Sequence, residues 1–148
     1  RLGLMLHAPS EKETLAFIHK DVKPALEQVA RELTERGREA FVEEEESGAV
    51  ALTSPADDMR NFVYGVTPAS QKLPAFSAFD AARSGLRYEA RTQFSSGSRG
   101  YDIMGMTRDQ IIHDVLIQYE RYLLLVQSTA SELVSAAPVH DVQTQKEE

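Results

Sequence analysis

The sequence predicts an α+β fold, a two-layer domain in which two long amphipathic helices lie on one face of an antiparallel sheet of four or more strands. Two apolar stripes of helical period, Leu15 to Leu33 and Ile111 to Val126, each follow a capping box. Between them lie short alternating apolar and polar segments separated by turn residues. None of these elements buries its apolar face alone, and stacking both helices on one sheet is the economical solution.

Leu2, Leu4 and Leu6 alternate with Arg1, Gly3 and Met5, the pattern of a short strand or of the frayed end of an N-terminal element. Ser10 with Glu13 forms the first capping box. Behind it Leu15, Ile18, Val22, Leu26, Val29, Ala30 and Leu33 share one stripe, and Gly37 supplies the left-handed residue that ends a helix. Pro24 lies inside this helix and predicts a kink near Asp21 to Lys23.

Glu39 to Glu45 and Ala49 to Thr53 read as two strands joined through Ser47 and Gly48. Asn61 to Thr67 is a third strand with Phe62, Tyr64 and Val66 on one face, and Pro68 is expected to stop it. From Pro68 to Gly85 no periodicity is present, which predicts a long connection plugged onto the body by Leu73, Phe76 and Phe79. Leu86 to Phe94 is a fourth strand, with Tyr88, Ala90, Thr92 and Phe94 on one face. Ser95 to Gly100 is its turn, and Tyr101 to Met104 returns as a short strand.

Thr107 with Gln110 caps the last helix, whose stripe predicts Val115, Leu116 and Tyr119 as central core residues. After about Gln127 the pattern fades, so residues 128–148 are expected to be a weakly structured tail on a single domain spanning 1–148.

The 148 residues are 42% hydrophobic and 26% charged, ordinary for a folded body. Acidic residues outnumber basic ones 23 to 16, and the resulting charge of -7 repels nucleic acid. Cysteine is absent, which excludes disulfides and thiolate chemistry and suits a reducing compartment. Tyr122 to Val126, the longest strongly apolar run, is far shorter than the ~20 residues that span a bilayer. A chain opening on Arg1 is expected to be a piece of a longer polypeptide.

Catalytic signals are weak. His19 is read as a core or boundary residue on the first stripe, with no ligand partner at helical spacing. His113 adjoins Asp114, but neighbouring helical residues diverge by about 100° and form no dyad. His7 and His140 lie in the termini. The Ser95 to Gly100 run lacks the strand-to-helix context and the lysine of a phosphate cradle, and no G-x-S-x-G occurs. No catalytic residue, metal ligand or cofactor is assigned, and the chain is read as a non-enzyme. Two surface features remain. Glu43, Glu44, Glu45 and Glu46 form an acidic run at a hairpin end, a candidate ionic-strength-sensitive cluster. Ile117 and Leu124, seven residues apart and opposite the main stripe, are candidate partner contacts, with self-association one outcome.

YDIMG (Tyr101 to Gly105) followed by QIIHDVLIQYERY (Gln110 to Tyr122) resembles the cytoplasmic C-terminal domain of BetT-type high-affinity choline transporters, in the betaine/choline/carnitine transporter family. LMLHAPS from Leu4, VKPALEQVARELTERG from Val22 and NFVYGV from Asn61 extend the resemblance over most of the chain. It implies a soluble domain on the cytoplasmic side of the bacterial inner membrane, regulating osmoprotectant uptake. Its partners would then be the transporter's membrane part and cytoplasmic loops. Some members carry a basic, lipid-sensing tail, and the charge of -7 departs from that pattern. The alternatives are a freestanding small-ligand sensor or adaptor, and a small enzyme using His19 or His113.

Overall fold

The structure, a computed structural model, describes residues 8–57, 60–72 and 86–147, with side chains in the last helix given as far as 128. The alternation at Leu2, Leu4 and Leu6, His7, and the plug at Leu73, Phe76 and Phe79 lie outside the described residues.

Helix α1 (Glu11–Phe17) opens on the capping box. Ser10 Oγ accepts from the Glu13 N–H at 3.1 Å, while the Glu13 carboxylate accepts from the Ser10 N–H at 3.0 Å. A π turn, Ile18–Val22, carries the chain into α2 (Lys23–Glu35). Pro24 has no N–H to give to the carbonyl four residues back, and its ring crowds that carbonyl. The wider turn absorbs both problems: Lys23 donates back to Ile18, and Pro24 falls in the first turn of α2, where a missing N–H costs least. The expected kink is therefore a π turn that begins at Ile18. At the far end Gly37 takes φ 85°, Arg38 donates to the Leu33 carbonyl at 2.9 Å and Gly37 to that of Thr34 at 3.0 Å. This pattern satisfies the last carbonyls with a left-handed residue.

Strands β1 (Phe41–Glu44), β2 (Val50–Ser54), β3 (Phe62–Lys72) and β4 (Leu86–Phe94) pair antiparallel in chain order. The register aligns Val50, Val66 and Thr92 in one row and Val42, Leu52, Tyr64 and Phe94 in the next. Partners directly opposite share a face. These rows form one core with Ile18, Val22, Leu26 and Val29 from the first helical segments. The opposite face, with Ala51, Thr53, Val63 and Thr67, is half-buried. The fold is mixed α+β, with helices over a four-stranded antiparallel sheet.

Pro68 does not stop β3. It pairs with Ala90, whose N–H and carbonyl both point away from β3, to Asp102 and Ile103. Position 68 is thus a non-hydrogen-bonded site toward β4, and on the other side β2 reaches no further than Val50, the partner of Val66. No ladder bond needs the N–H that proline lacks.

After β4 the chain bends back along its outer edge. The return at Tyr101 to Met104 is a single bridge between Arg91 and Asp102 rather than a strand. Gly100 permits the approach, since a Cβ there would collide with the Thr92 carbonyl.

Helix α3 (Arg108–Glu147) starts on the second capping box, Thr107 Oγ1 accepting from Gln110 at 3.2 Å and Gln110 Oε1 from Thr107 at 2.9 Å. Its backbone continues past Gln127, where the amphipathic pattern fades. The buried stripe is Ile111, Val115 and Tyr119, flanked by Ile112, Tyr122 and Leu123. Leu116 is 43% exposed, so it is not a core residue as expected: one step from Val115 turns it about 100° away from the sheet. His19 likewise faces solvent, because the first stripe is centred on Thr14, Ile18 and Val22 and His19 stands one step round from Ile18.

Truncating the fully buried Leu26 to Ala should cost about 2–5 kcal/mol. Leu116→Ala should stay within about 0.5 kcal/mol. Urea midpoints of the two variants check the assignment, and equal losses would place α3 in a different rotation.

Candidate functional site

Three segments that carry the family resemblance meet under α3. Tyr64, in the NFVYGV stretch, is a fully buried residue near the start of β3, and its hydroxyl needs an acceptor. Tyr101 opens the YDIMG stretch, and its hydroxyl arrives from the edge of β4. Both hydroxyls donate to the same carboxylate oxygen, Asp114 Oδ2, each at 2.6 Å, and the Gln118 amide donates to the Tyr101 hydroxyl at 3.0 Å. Burial first, and then the bond to Asp114, push the Tyr101 phenol up to about 12, and the same causes raise Tyr64 further. The group is a structural polar network, two neutral phenols on one carboxylate. Nothing in the local motifs marks Asp114. Its signal is position: three residues after Ile111 and four before Gln118, it lies on the flank of the buried stripe, where a carboxylate needs partners.

Asp102, the second residue of YDIMG, does a different task. Its Oδ1 accepts from the Ala90 N–H at 3.1 Å and from Met104 at 2.9 Å, while Thr92 donates to the Tyr101 carbonyl at 2.8 Å and Tyr88 to that of Pro9 at 3.1 Å. The outer edge of β4 is thereby satisfied by Pro9, Tyr101, Asp102 and Ile103.

Beside the network a cleft of about 310 Å³ opens between the end of β4, the Ser95 to Gly100 loop and α3. Phe62, Phe94, Tyr101 and Tyr122 supply its rings, and Arg99 and Arg121 its charge. The rings brace one another: Phe94 lies 5.5 Å from Tyr64 and 5.6 Å from Tyr101 between centroids, and Phe62 5.4 Å from Tyr122. The Tyr122 hydroxyl donates to the Arg60 carbonyl at 2.6 Å.

The sequence-derived surface features are scattered. Glu43 to Glu46 are all exposed, but they are not one patch: Glu43 and Glu44 alternate across β1, and Glu45 and Glu46 lie in the turn. Glu44 is engaged by Lys23 at 2.8 Å, with His19 at 3.7 Å. That lysine holds the Glu44 carboxyl below the usual range, and Glu44 raises Lys23. On α3, Leu124 is 66% exposed and Ile117 half-buried. His113 is exposed, and no group of three metal-ligating side chains occurs among the described residues.

Because the phenols are held neutral in the fold, their contribution to stability is complete below the ordinary tyrosine value of 10.0 and is lost as pH rises through about 12. The urea midpoint should therefore decline above pH 10, and Tyr101→Phe should flatten that decline. A decline unaltered by this substitution would remove Tyr101 from the titration.

No family model matches the chain. Among characterised proteins, it is 31% identical over 129 residues to the osmo-dependent choline transporter BetT2 of Acinetobacter baylyi, which covers 83% of this chain and 19% of that protein. It is 31% identical over 150 residues to the high-affinity choline transport protein of Escherichia coli, 96% of this chain and 21% of the relative. The glycine betaine transporter of Acinetobacter baylyi matches at 31% over 126 residues, 83% of the chain and 19% of its own length. The chain thus spans about a fifth of the curated relatives it matches. No helix among the described residues is long and apolar enough to cross a membrane. The chain is thus homologous to one segment of choline and betaine transporters, the family that its motifs resemble.

Proposed function

We propose that the chain is a non-enzymatic regulatory domain on the cytoplasmic side of a bacterial osmoprotectant transporter, adjusting choline uptake to osmotic stress. The observation that carries this reading is the match along 83% of the chain to a transporter named for osmotic dependence. Two features support it. The polar network is architectural rather than catalytic, which suits a non-enzyme. The charge of -7 suits a domain tethered beside cytoplasmic loops, which carry excess Lys and Arg in membrane proteins.

Docking of the acidic body on those loops restrains transport in this reading. Rising cytosolic salt weakens the attraction, since the Debye length falls from about 10 Å at 0.1 M to about 3 Å at 1 M. Glu43, Glu45 and Glu46 are the acids available, because Glu44 is already paired with Lys23. Leu124, with Ile117 beneath it, offers the apolar contact, either to the membrane part or to a second copy of the domain.

Choline uptake by a reconstituted transporter carrying this segment, measured across external osmolarity with and without residues 8–147, tests the reading. Deletion should abolish the osmotic response while leaving transport itself. Replacing Glu43, Glu45 and Glu46 with Gln should shift the salt concentration for half-activation downward. An unchanged osmotic response on deletion would refute a regulatory role.

A further inference from the structure

We propose that the cleft under the Ser95 to Gly100 loop is a binding site for a small carboxylate carried on a flat apolar body. This stands apart from the transporter reading, and rests on size, charge and rigidity.

At about 310 Å³ the cleft lies at the lower end of the ~300–1,000 Å³ that small-molecule sites occupy. Its charge runs against that of the whole molecule. In a chain with 23 acidic and 16 basic residues, the described lining of the cleft includes Arg99 and Arg121 and no carboxylate. The ion pairs of the described residues use Lys23, His19, Arg87 and Arg91, and neither cleft arginine has one. Asp114, which the lining residue Tyr101 reaches, accepts from both tyrosine hydroxyls through one oxygen. A guanidinium presents paired donors that match a carboxylate in geometry and charge.

The apolar half of the site is held in place before any ligand arrives. Tyr101 is fixed through Asp114 and Gln118, Tyr122 through the Arg60 carbonyl, and Phe62 and Phe94 by ring contacts. Rings already ordered lose little freedom on binding a planar group. Rival ligand classes fit less well. A quaternary ammonium would find aromatic faces but also two like charges. Inorganic phosphate would leave the rings uncovered, and the net charge of -7 disfavours a polyanion such as nucleic acid.

Titration of the 148-residue chain by amide NMR tests the proposal, with indole-3-acetate as the probe. The neutral isostere indole-3-acetamide, inorganic phosphate and tetramethylammonium serve as comparisons. Indole-3-acetate should shift the amides of Ser95 to Tyr101 and Gln118 to Tyr122, bind at least about tenfold more tightly than the amide, and weaken about tenfold in Arg99→Gln and in Arg121→Gln. Both arginines lie outside the core, so the urea midpoint should hold; if a variant unfolds, the acid-against-amide comparison on the unaltered chain decides. Equal binding of acid and amide would overturn the proposal. So would shifts elsewhere in the fold, tighter binding of phosphate or tetramethylammonium, or no response to indole-3-acetate.

Discussion

The hydroxyl of Tyr64 sets the rotation of α3 above the sheet. The side chain is fully buried in an inner strand, and a phenol sealed from water without an acceptor would cost about 1–3 kcal/mol. Asp114 meets that demand from α3, which fixes how the helix is rotated. With Asp114 turned toward Tyr64, Ile111, Val115 and Tyr119 face the core, and Gln118 and Tyr122 fall along the seam with the β4 end. Leu116 and Leu124 are left on the outer side, where both are exposed. The orientation of α3 is therefore polar in its specification and apolar in its bulk energy. Tyr119 shows the reverse arrangement: its ring packs at 5.0 Å on Phe62, and its buried hydroxyl has no partner among the described residues.

A second constraint comes from the outer edge of β4. An edge strand presents unpaired N–H and C=O groups that invite further pairing. Here Asp102 and the backbone of Pro9, Tyr101 and Ile103 occupy those groups, so the chain entering α1 and the chain leaving the sheet both close the same edge. Gly100 makes the turn tight enough for Tyr101 to reach both Thr92 and Asp114. One short stretch thereby ties the sheet edge to the helix above it.

Elements governed by local rules were legible in the sequence. Both capping boxes, the Gly37 terminator and the Ser47 to Gly48 hairpin depend on residues within a few positions of one another, and each is present. What escaped depends on distant partners. Pro68 reads as a strand terminator until its pairing with Ala90 shows that no ladder bond is required of it. His19 and Leu116 each stand one residue step from the centre of a stripe, a distance that periodicity alone does not resolve once a π turn or a polar anchor shifts the rotation. The candidate site was least legible of all. Asp114 finds its phenols 50 and 13 residues away, and the arginine cleft is assembled from β3, the β4 loop and α3.

The residues that carry the family likeness have structural tasks wherever the described side chains give them one. Val22 and Leu26 fill the core, Tyr64, Tyr101 and Asp114 orient α3, and Asp102 closes the sheet edge. What these motifs transmit is an architecture, and an architecture alone does not specify regulation or ligand. Any such property must then reside in surfaces that the fold leaves over. The acids of the β1 turn, the exposed leucines of α3 and the arginine-lined cleft are such surfaces, and each differs in physics. The acids act at long range and fade with salt, while the leucines act only on contact and are largely indifferent to it. The cleft lies between the two, because its arginines attract at a distance but its rings discriminate at contact. Salt dependence therefore separates the three without identifying a partner in advance: a response carried by the acids alone vanishes with screening, one carried by Leu124 persists, and one carried by the cleft weakens in affinity while keeping its selectivity for a flat body.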